Sequence, residues 1–293
     1  MSEFLTTREV AQLLRVKERK VYDLAARGKI PCSRATGKLL FPREDIENWI
    51  IQTRSGPGPA STGKTARPAV LLGSHDPLLE WALRESGCGI ATFFDGSLDG
   101  IDRYLNGEGI ATAMHLFDAP GKSWNIQAAG AYLGAQNIAL MEWAGRSRGL
   151  IISPHCDKPV TGIDDIRGLS VVSRQPGAGS QQLLNHLLDE AGISREDFNS
   201  YPAQRTETDA VMPLLQGKAD VCLGLAAIAE QYKLAYVPLV QERFDIAVDR
   251  HFWFGQSWQT LLTFCRSNAF QDKAKEFGGY DVSQLGKIWF NAD

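Results

Sequence analysis

Apolar positions in the first fifty residues recur at helical spacing. Val10, Leu13 and Leu14 follow Thr6 and Thr7, which offer an N-cap. Arg15, Val16 and Lys17 separate this helix from a second, roughly residues 18–27. Val21, Leu24 and Ala25 form its inner stripe, and Gly28 ends it. Residues 31–41 read as a hairpin with a glycine turn. Residues 43–52 read as a third helix, with Ile46, Trp49 and Ile50 turned inward. From Ala69 the period changes. Short apolar runs at 69–72, 89–94, 110–115, 137–143, 149–153, 170–173, 219–223 and 235–239 alternate with helical stretches near 77–86, 97–105 and 180–191. This alternation predicts parallel sheets with covering helices, an α/β class in which ligands sit at strand C-termini.

Between the two patterns, residues 53–68 hold three glycines and three prolines and no large apolar side chain, the composition of a flexible linker. Within it, Gly58 to Thr65 spells the phosphate-loop pattern GxxxxGK[ST]. That loop works only between a buried strand and a helix N-terminus. No apolar run precedes Gly58, and Pro68 obstructs a helix after Thr65, so the nucleotide reading is rejected.

Charge sharpens the division. The 293 residues carry a net charge of -3, yet residues 1–54 hold eleven Lys and Arg against seven acids. A basic head on an acidic body points to a polyanionic partner for the head. Two short helices joined by about three residues, the second one basic, are a helix-turn-helix arrangement whose second helix enters the major groove.

The head resembles a known family. Leu5-Thr6-Thr7-Arg8-Glu9-Val10-Ala11, Val21-Tyr22, Gly28-Lys29-Ile30-Pro31 and Phe41-Pro42-Arg43-Glu44-Asp45-Ile46-Glu47-Asn48-Trp49 are similar to the excisionase-type, MerR-like winged helix-turn-helix. The resemblance implies binding to double-stranded DNA. Lys17, Arg19, Lys20 and Tyr22 would approach the groove, and Arg34 and Lys38 on the wing would meet phosphate. Tyr22 could equally pack into the small core.

In the body, Gly73-Ser74, Gly96-Ser97 and Gly177-Ala178-Gly179-Ser180 stand where helices are expected to begin. Free backbone N–H groups, hydroxyls and the positive helix end there favour an anion. These turns belong to a wider set, with Met114-His115-Leu116-Phe117-Asp118, Arg148-Gly149-Leu150-Ile151, Arg174-Gln175-Pro176 and Gly217-Lys218-Ala219-Asp220, that resembles the periplasmic-binding-protein-like domain of the molybdate/tungstate group. The resemblance implies a two-lobed (type II) fold with a cleft. The expected organisation is a winged helix-turn-helix over 1–54, a linker over 55–68 and a sensing domain over 69–293. Lobe I would span about 69–148 plus 241–293, and lobe II about 149–240. It also implies a small oxyanion, molybdate or tungstate. Ser74, Ser97 and Ser180 would donate to it, the backbone at Gly177 and Gly179 would help, and Arg174 would clamp it. Another small anion, a molybdopterin-type cofactor or a scaffold role for the body remain open. His75 stands beside this set. Asp76 would either repel an anion or cap the helix at Pro77, and His115 would either face the cleft or sit in the core.

Other chemistry is not expected. There is no GxSxG elbow and no HExxH, so no enzyme is expected, and no cofactor beyond the ligand itself. Five scattered cysteines without a CxxC pair indicate neither a disulfide framework nor a zinc site. The N-terminus lacks a signal-peptide pattern and no apolar run is long enough to span a bilayer, so a cytoplasmic location is expected. Half-site geometry implies a homodimer or higher oligomer. The aromatic tail, with Trp253, Trp258 and Trp289, would pack a core or form a dimer surface.

Overall fold

A computed structural model gives the fold. It describes residues 4–33, 37–43, 45, 46, 49 and 67–292. Arg34, the Gly58–Thr65 pattern and the linker as far as residue 66 lie outside the described residues. The chain divides into two compact units, Met1–Thr65 and Ala66–Asp293.

In the first unit, α1 (Thr7–Leu14) starts at a capping box. The Glu9 N–H donates to Thr6 Oγ1 at 3.3 Å, and the Glu9 carboxylate accepts from the Thr6 N–H at 2.7 Å. Arg15 then adopts a left-handed conformation, φ +54, which turns the chain into α2 (Glu18–Ala26). Val10, Val21, Ile30, Phe41 and Ile46 form the small core. The sequence pattern did not show that strand β1 (Phe4–Leu5) pairs antiparallel with β2 (Phe41–Pro42). Ser33 and Leu40 bridge the hairpin, with Gly37 at φ +75 in its turn. Arg43, Asp45, Ile46 and Trp49 are helical.

The second unit is built on one sheet, in the order β10–β9–β11–β8–β12–β5–β3–β4. At one end lie β3 (Val70–Gly73), β4 (Ala91–Phe94) and β5 (Ala111–Met114), mutually parallel. At the other end lie β9 (Ser170–Arg174), β10 (Asn199–Gln204) and β11 (Val221–Leu225), also parallel. These two ends form the two lobes. Two strands of fifteen residues, β8 (Ile138–Ile152) and β12 (Ala235–Asp249), run antiparallel to each other through both.

Here the expected strands need correction. The runs at 137–143 and 149–153 are one strand rather than two, and 235–239 is only the start of β12. The sheet is mixed, not parallel throughout. The interruption at Arg146 and Arg148 reads as a break because charged residues leave the apolar pattern. In the fold both are buried and paired with carboxylates, so the ladder runs through them. The far edge of β8 is completed by β13 (Tyr280–Asp281) and β14 (Ile288–Asn291), which return from the chain's last helices.

Helices cover each lobe. Pro77–Glu85 (α3) packs Leu78, Leu79, Ala82 and Leu83 into the first core. Trp258, Leu261 and Phe270 of α10 (Gln256–Cys265) and α11 (Asn268–Phe277) join the same core. The tail aromatics therefore divide: Trp258 is fully buried, whereas Phe254 is 81% exposed. Helix α4 (Ser97–Leu105) lies so close to β3 that only glycine fits at the crossing. A Cβ on Gly100 would stand 2.2 Å from the Gly73 Cα. This close approach sets the α4 N-terminus beside the ends of β3 and β5.

Gly100→Ala should therefore lower stability by about 1–3 kcal/mol, because the obstructing atoms are backbone. A melting temperature equal to that of the parent protein would show that the crossing has slack.

Candidate functional site

The two lobes meet over a cleft. Ser74, His75, Phe94, Asp95, Gly96 and His115 line it from one lobe, and Arg174, Ala178, Arg205 and Glu207 from the other. The enclosed space is about 10 Å³, the room of one water. The lobes touch across it. The Leu98 N–H donates to the Gly177 carbonyl at 3.3 Å, and a Cβ on Gly179 would lie 2.4 Å from the His115 carbonyl oxygen. Any larger occupant requires the lobes to part.

Three helix N-termini surround the cleft, and they differ. Asp76 caps α3 by accepting from the Leu79 N–H at 2.7 Å, so of its two expected roles it takes the cap. Helix α4 begins after Gly96, and α6 (Gly179–Glu190) after Ala178, and neither has a side-chain cap. Both of these cap residues line the cavity. An end without a side-chain cap leaves first-turn N–H groups and a positive dipole end, although at α4 the Leu98 N–H is already taken by the Gly177 carbonyl.

The expected hydroxyls fall into place around this frame. Ser74 Oγ and Ser97 Oγ lie 2.7 Å apart, and Ser97 Oγ also accepts from the His115 N–H. Ser74 lines the cavity. Ser97, Gly177, Gly179 and Ser180, expected to hold the ligand, are not among the residues that line it, and the Ser97 and Ser180 side chains are buried. The Ser180 hydroxyl is buried and has no partner among the described residues. His75 Nε2 lies 2.9 Å from Glu80 Oε2, and its buried Nδ1 has no partner among the described residues. His115 meets both of its expected descriptions, being buried while it lines the cleft, with Nδ1 3.1 Å from Glu242. Arg174, expected as a clamp, is engaged within the protein. It donates to the Gln204 and Arg205 carbonyls and stands 3.0 Å from Glu207.

Beneath the cavity runs a buried chain of ions. Asp76 pairs with Arg146 at 2.9 Å, and Arg146 pairs with Glu242. Glu242 pairs with Arg148 at 2.7 Å, Arg148 with Glu207 at 3.1 Å, and Glu207 with Arg174. Three guanidiniums meet three carboxylates. Tyr280 Oη donates to Asp76 at 2.6 Å, and so does Trp143 Nε1 at 3.1 Å. Burial pushes the Glu207 carboxyl up, but Arg148 and Arg174 outweigh it and bring it down to about 2. Burial likewise opposes charge on Arg148, yet Glu207 and Glu242 hold it above its ordinary value. His115 is pulled down chiefly by burial, with Glu242 partly offsetting, so its ring is held neutral.

Reasoning from sequence missed Asp95, Arg205, Glu207 and Glu242. The alternation Arg146-x-Arg148 inside an apolar stretch was a usable signal, since residues two apart share one strand face. Glu207 was hidden as an ordinary first-turn acid of α7 (Glu207–Leu215), beside a capping box formed by Thr206 and Asp209.

On the first unit, Lys17 is the N-cap residue of α2, and Arg19, Lys20 and Tyr22 are exposed on that helix. Tyr22 is 51% exposed, so it is not part of the small core. Lys38 is exposed beside the hairpin turn.

The PBP superfamily domain matches residues 80–266, more than half of the chain. The chain belongs to the PBP superfamily. A helix-turn-helix domain matches residues 4–54 of this superfamily member. Over 302 aligned positions it is 24% identical to the uncharacterized protein YvgK of Bacillus subtilis (strain 168), covering 97% of this chain and 96% of that one. It is 29% identical over 98 residues to an uncharacterized protein in the ferredoxin 2Fe-2S gene 5′ region of Clostridium pasteurianum, covering 33% of this chain and 80% of that protein. In structure it resembles a putative phosphate ABC transporter substrate-binding protein with bound phosphate from Clostridium perfringens. The TM-score is 0.50 at 14% identity, over 75% of this chain and 99% of that one. That likeness is one of fold. The superfamily member thus joins a DNA-binding helix-turn-helix to a ligand-binding domain.

One substitution checks the site's buried ion chain, and another checks a buried carboxyl outside it. Glu242→Ala leaves Arg146 and Arg148 short of a buried partner and should cost about 3–5 kcal/mol. An unchanged urea midpoint would refute the buried chain. Asp245, fully buried on β12, is pushed up to about 7 from 3.8, chiefly by burial. Its folded form holds a proton that the unfolded chain releases, so its contribution is full below pH 3.8 and lost as pH rises through 7. Asp245→Asn should flatten the pH dependence of stability in that window, which urea melts at several pH values would read.

Proposed function

We propose that the chain is a ligand-responsive transcriptional regulator. Its first unit binds double-stranded DNA, and its cleft takes a small tetrahedral oxyanion, with molybdate or tungstate as the leading candidates. The observation that carries the ligand class is the pair of uncapped helix N-termini, at Gly96 and Ala178, on opposite walls of one small cavity. Ser74 adds a hydroxyl there, with the Ser97 hydroxyl 2.7 Å from it. The space has room for one water, so the oxyanion would enter with the lobes apart. Hydrogen phosphate is a second reading, favoured by the Asp95 and Glu207 carboxylates that line the same cavity and can accept from a ligand hydroxyl.

On the DNA side, Lys17, Arg19, Lys20 and Tyr22 would enter the major groove, while Lys38, with Arg34, would meet phosphate on the wing. A dimer in the cytoplasm would read paired half-sites. Ligand binding alters the response only insofar as it favours one lobe arrangement over the other.

A thermal-shift series with molybdate, tungstate, phosphate and sulfate tests the ligand. At about 100 times its dissociation constant a true ligand adds about 2.7 kcal/mol. A shift with none of the four would overturn the oxyanion reading. For the DNA, Arg19→Ala with Lys20→Ala should weaken binding more than tenfold and flatten its salt dependence. Undiminished affinity in a gel-shift titration would sink the groove assignment.

A further inference from the structure

The cavity has no net charge to offer an anion. Of the guanidiniums that line it, Arg174 stands 3.0 Å from Glu207, and Arg205 stands 4.0 Å from Asp95. A dianion admitted here meets two cations already matched by two carboxylates. Burying further negative charge without a counter-charge is costly. Two imidazoles also line the cavity. His115 has its Nδ1 at Glu242, and Arg146, Arg148 and Glu207 lie around it, so positive charge there is already opposed from β8.

His75 is placed differently. Glu80 of α3 holds its Nε2 at 2.9 Å, which favours a proton on that nitrogen. The opposite nitrogen, Nδ1, is buried and has no partner among the described residues. Phe94 sets its ring edge-on to the imidazole, and Ser74 and Asp95 are its polar neighbours around the cavity. The neighbouring Asp76 carboxylate is taken up by Arg146, Trp143 and Tyr280. With its proton on Nε2, His75 presents a lone pair at Nδ1 and can only accept. It becomes a donor by gaining one proton, and Glu80, whose other oxygen accepts from Arg84 at 2.9 Å, is in place to stabilise the charge so formed.

We propose that His75 carries the proton that the ligand lacks, so that an oxyanion with no proton of its own binds together with one proton. This rests on the oxyanion reading of the cleft. An acceptor-only ion such as molybdate would draw one proton from solvent onto His75 Nδ1. Hydrogen phosphate would bring its own and leave the imidazole unchanged. The cleft therefore responds to an anion and to pH together, and the two candidate ligands differ in proton count.

The experiment is calorimetric titration of the full chain with sodium molybdate at about pH 8, above the range in which imidazoles ordinarily titrate. It is run in two buffers of different ionisation enthalpy. Uptake near one proton per bound ion is expected, with affinity falling about tenfold per pH unit. His75→Gln, whose amide donates without charge, should bind with a flat pH profile and no proton uptake. Glu80→Gln, which keeps the imidazole and withdraws the charge behind it, should shift the same profile to lower pH and provides a check independent of the first variant's folding. Binding by the parent protein without proton uptake, or uptake that persists in the His75→Gln variant, would overturn the proposal and leave the oxyanion reading intact. Failure of molybdate, tungstate, sulfate and phosphate alike to bind between about pH 6 and pH 8 would overturn both.

Discussion

Everything near the cleft depends on a chain of alternating charges buried where two long strands cross from one lobe to the other. Arg146 and Arg148 sit on β8 and Glu242 on β12, all out of water. Each charge alone would be very costly there. Together they neutralise one another, and their ends reach into both lobes: Asp76 at the start of α3, and Glu207 with Arg174 beside the cleft. Such a chain is a weak source of stability, since apolar side chains could fill the same volume. What it does is fix geometry. A guanidinium in the middle has carboxylates on two sides, so a shift of either neighbour has an electrostatic consequence for the other.

That arrangement also fixes how the cleft can recognise anything. With the two guanidiniums that line the cleft paired, the proposed recognition would fall to groups that carry partial charge: the remaining N–H groups at two helix starts without side-chain caps, the Ser74 hydroxyl and the imidazoles. Groups of this kind discriminate by shape and by hydrogen-bond count more than by total charge. A cleft lined by unpaired arginines would accept many anions, whereas one built of oriented dipoles is demanding about where the acceptor oxygens stand.

The sequence made the coarse plan readable for physical reasons. Glycine and serine at strand ends mark tight turns into helices, and the capping signal at Thr6 marks the first helix, because these are local effects of short range. The charged floor was not readable. Arg146 and Arg148 look like the polar end of a strand until Glu242, almost a hundred residues later, is placed opposite them. The same holds for Asp95 and Arg205, ordinary loop residues that become a pair only when the lobes meet. Local rules marked the helix starts, and long-range pairing decided which charges are matched.

The edge of β8 is finished late. Its register with β13 and β14 joins residues more than 130 positions apart, and the hydroxyl of Tyr280 reaches Asp76, 204 positions away. Contacts of such separation are slow to form, because a long loop must close first. The helix-turn-helix, by contrast, closes its core within its first fifty residues. On the ribosome the two units therefore mature at very different moments. A nascent chain halted before Tyr280 already carries the whole helix-turn-helix, while the floor of the cleft still lacks its final strands.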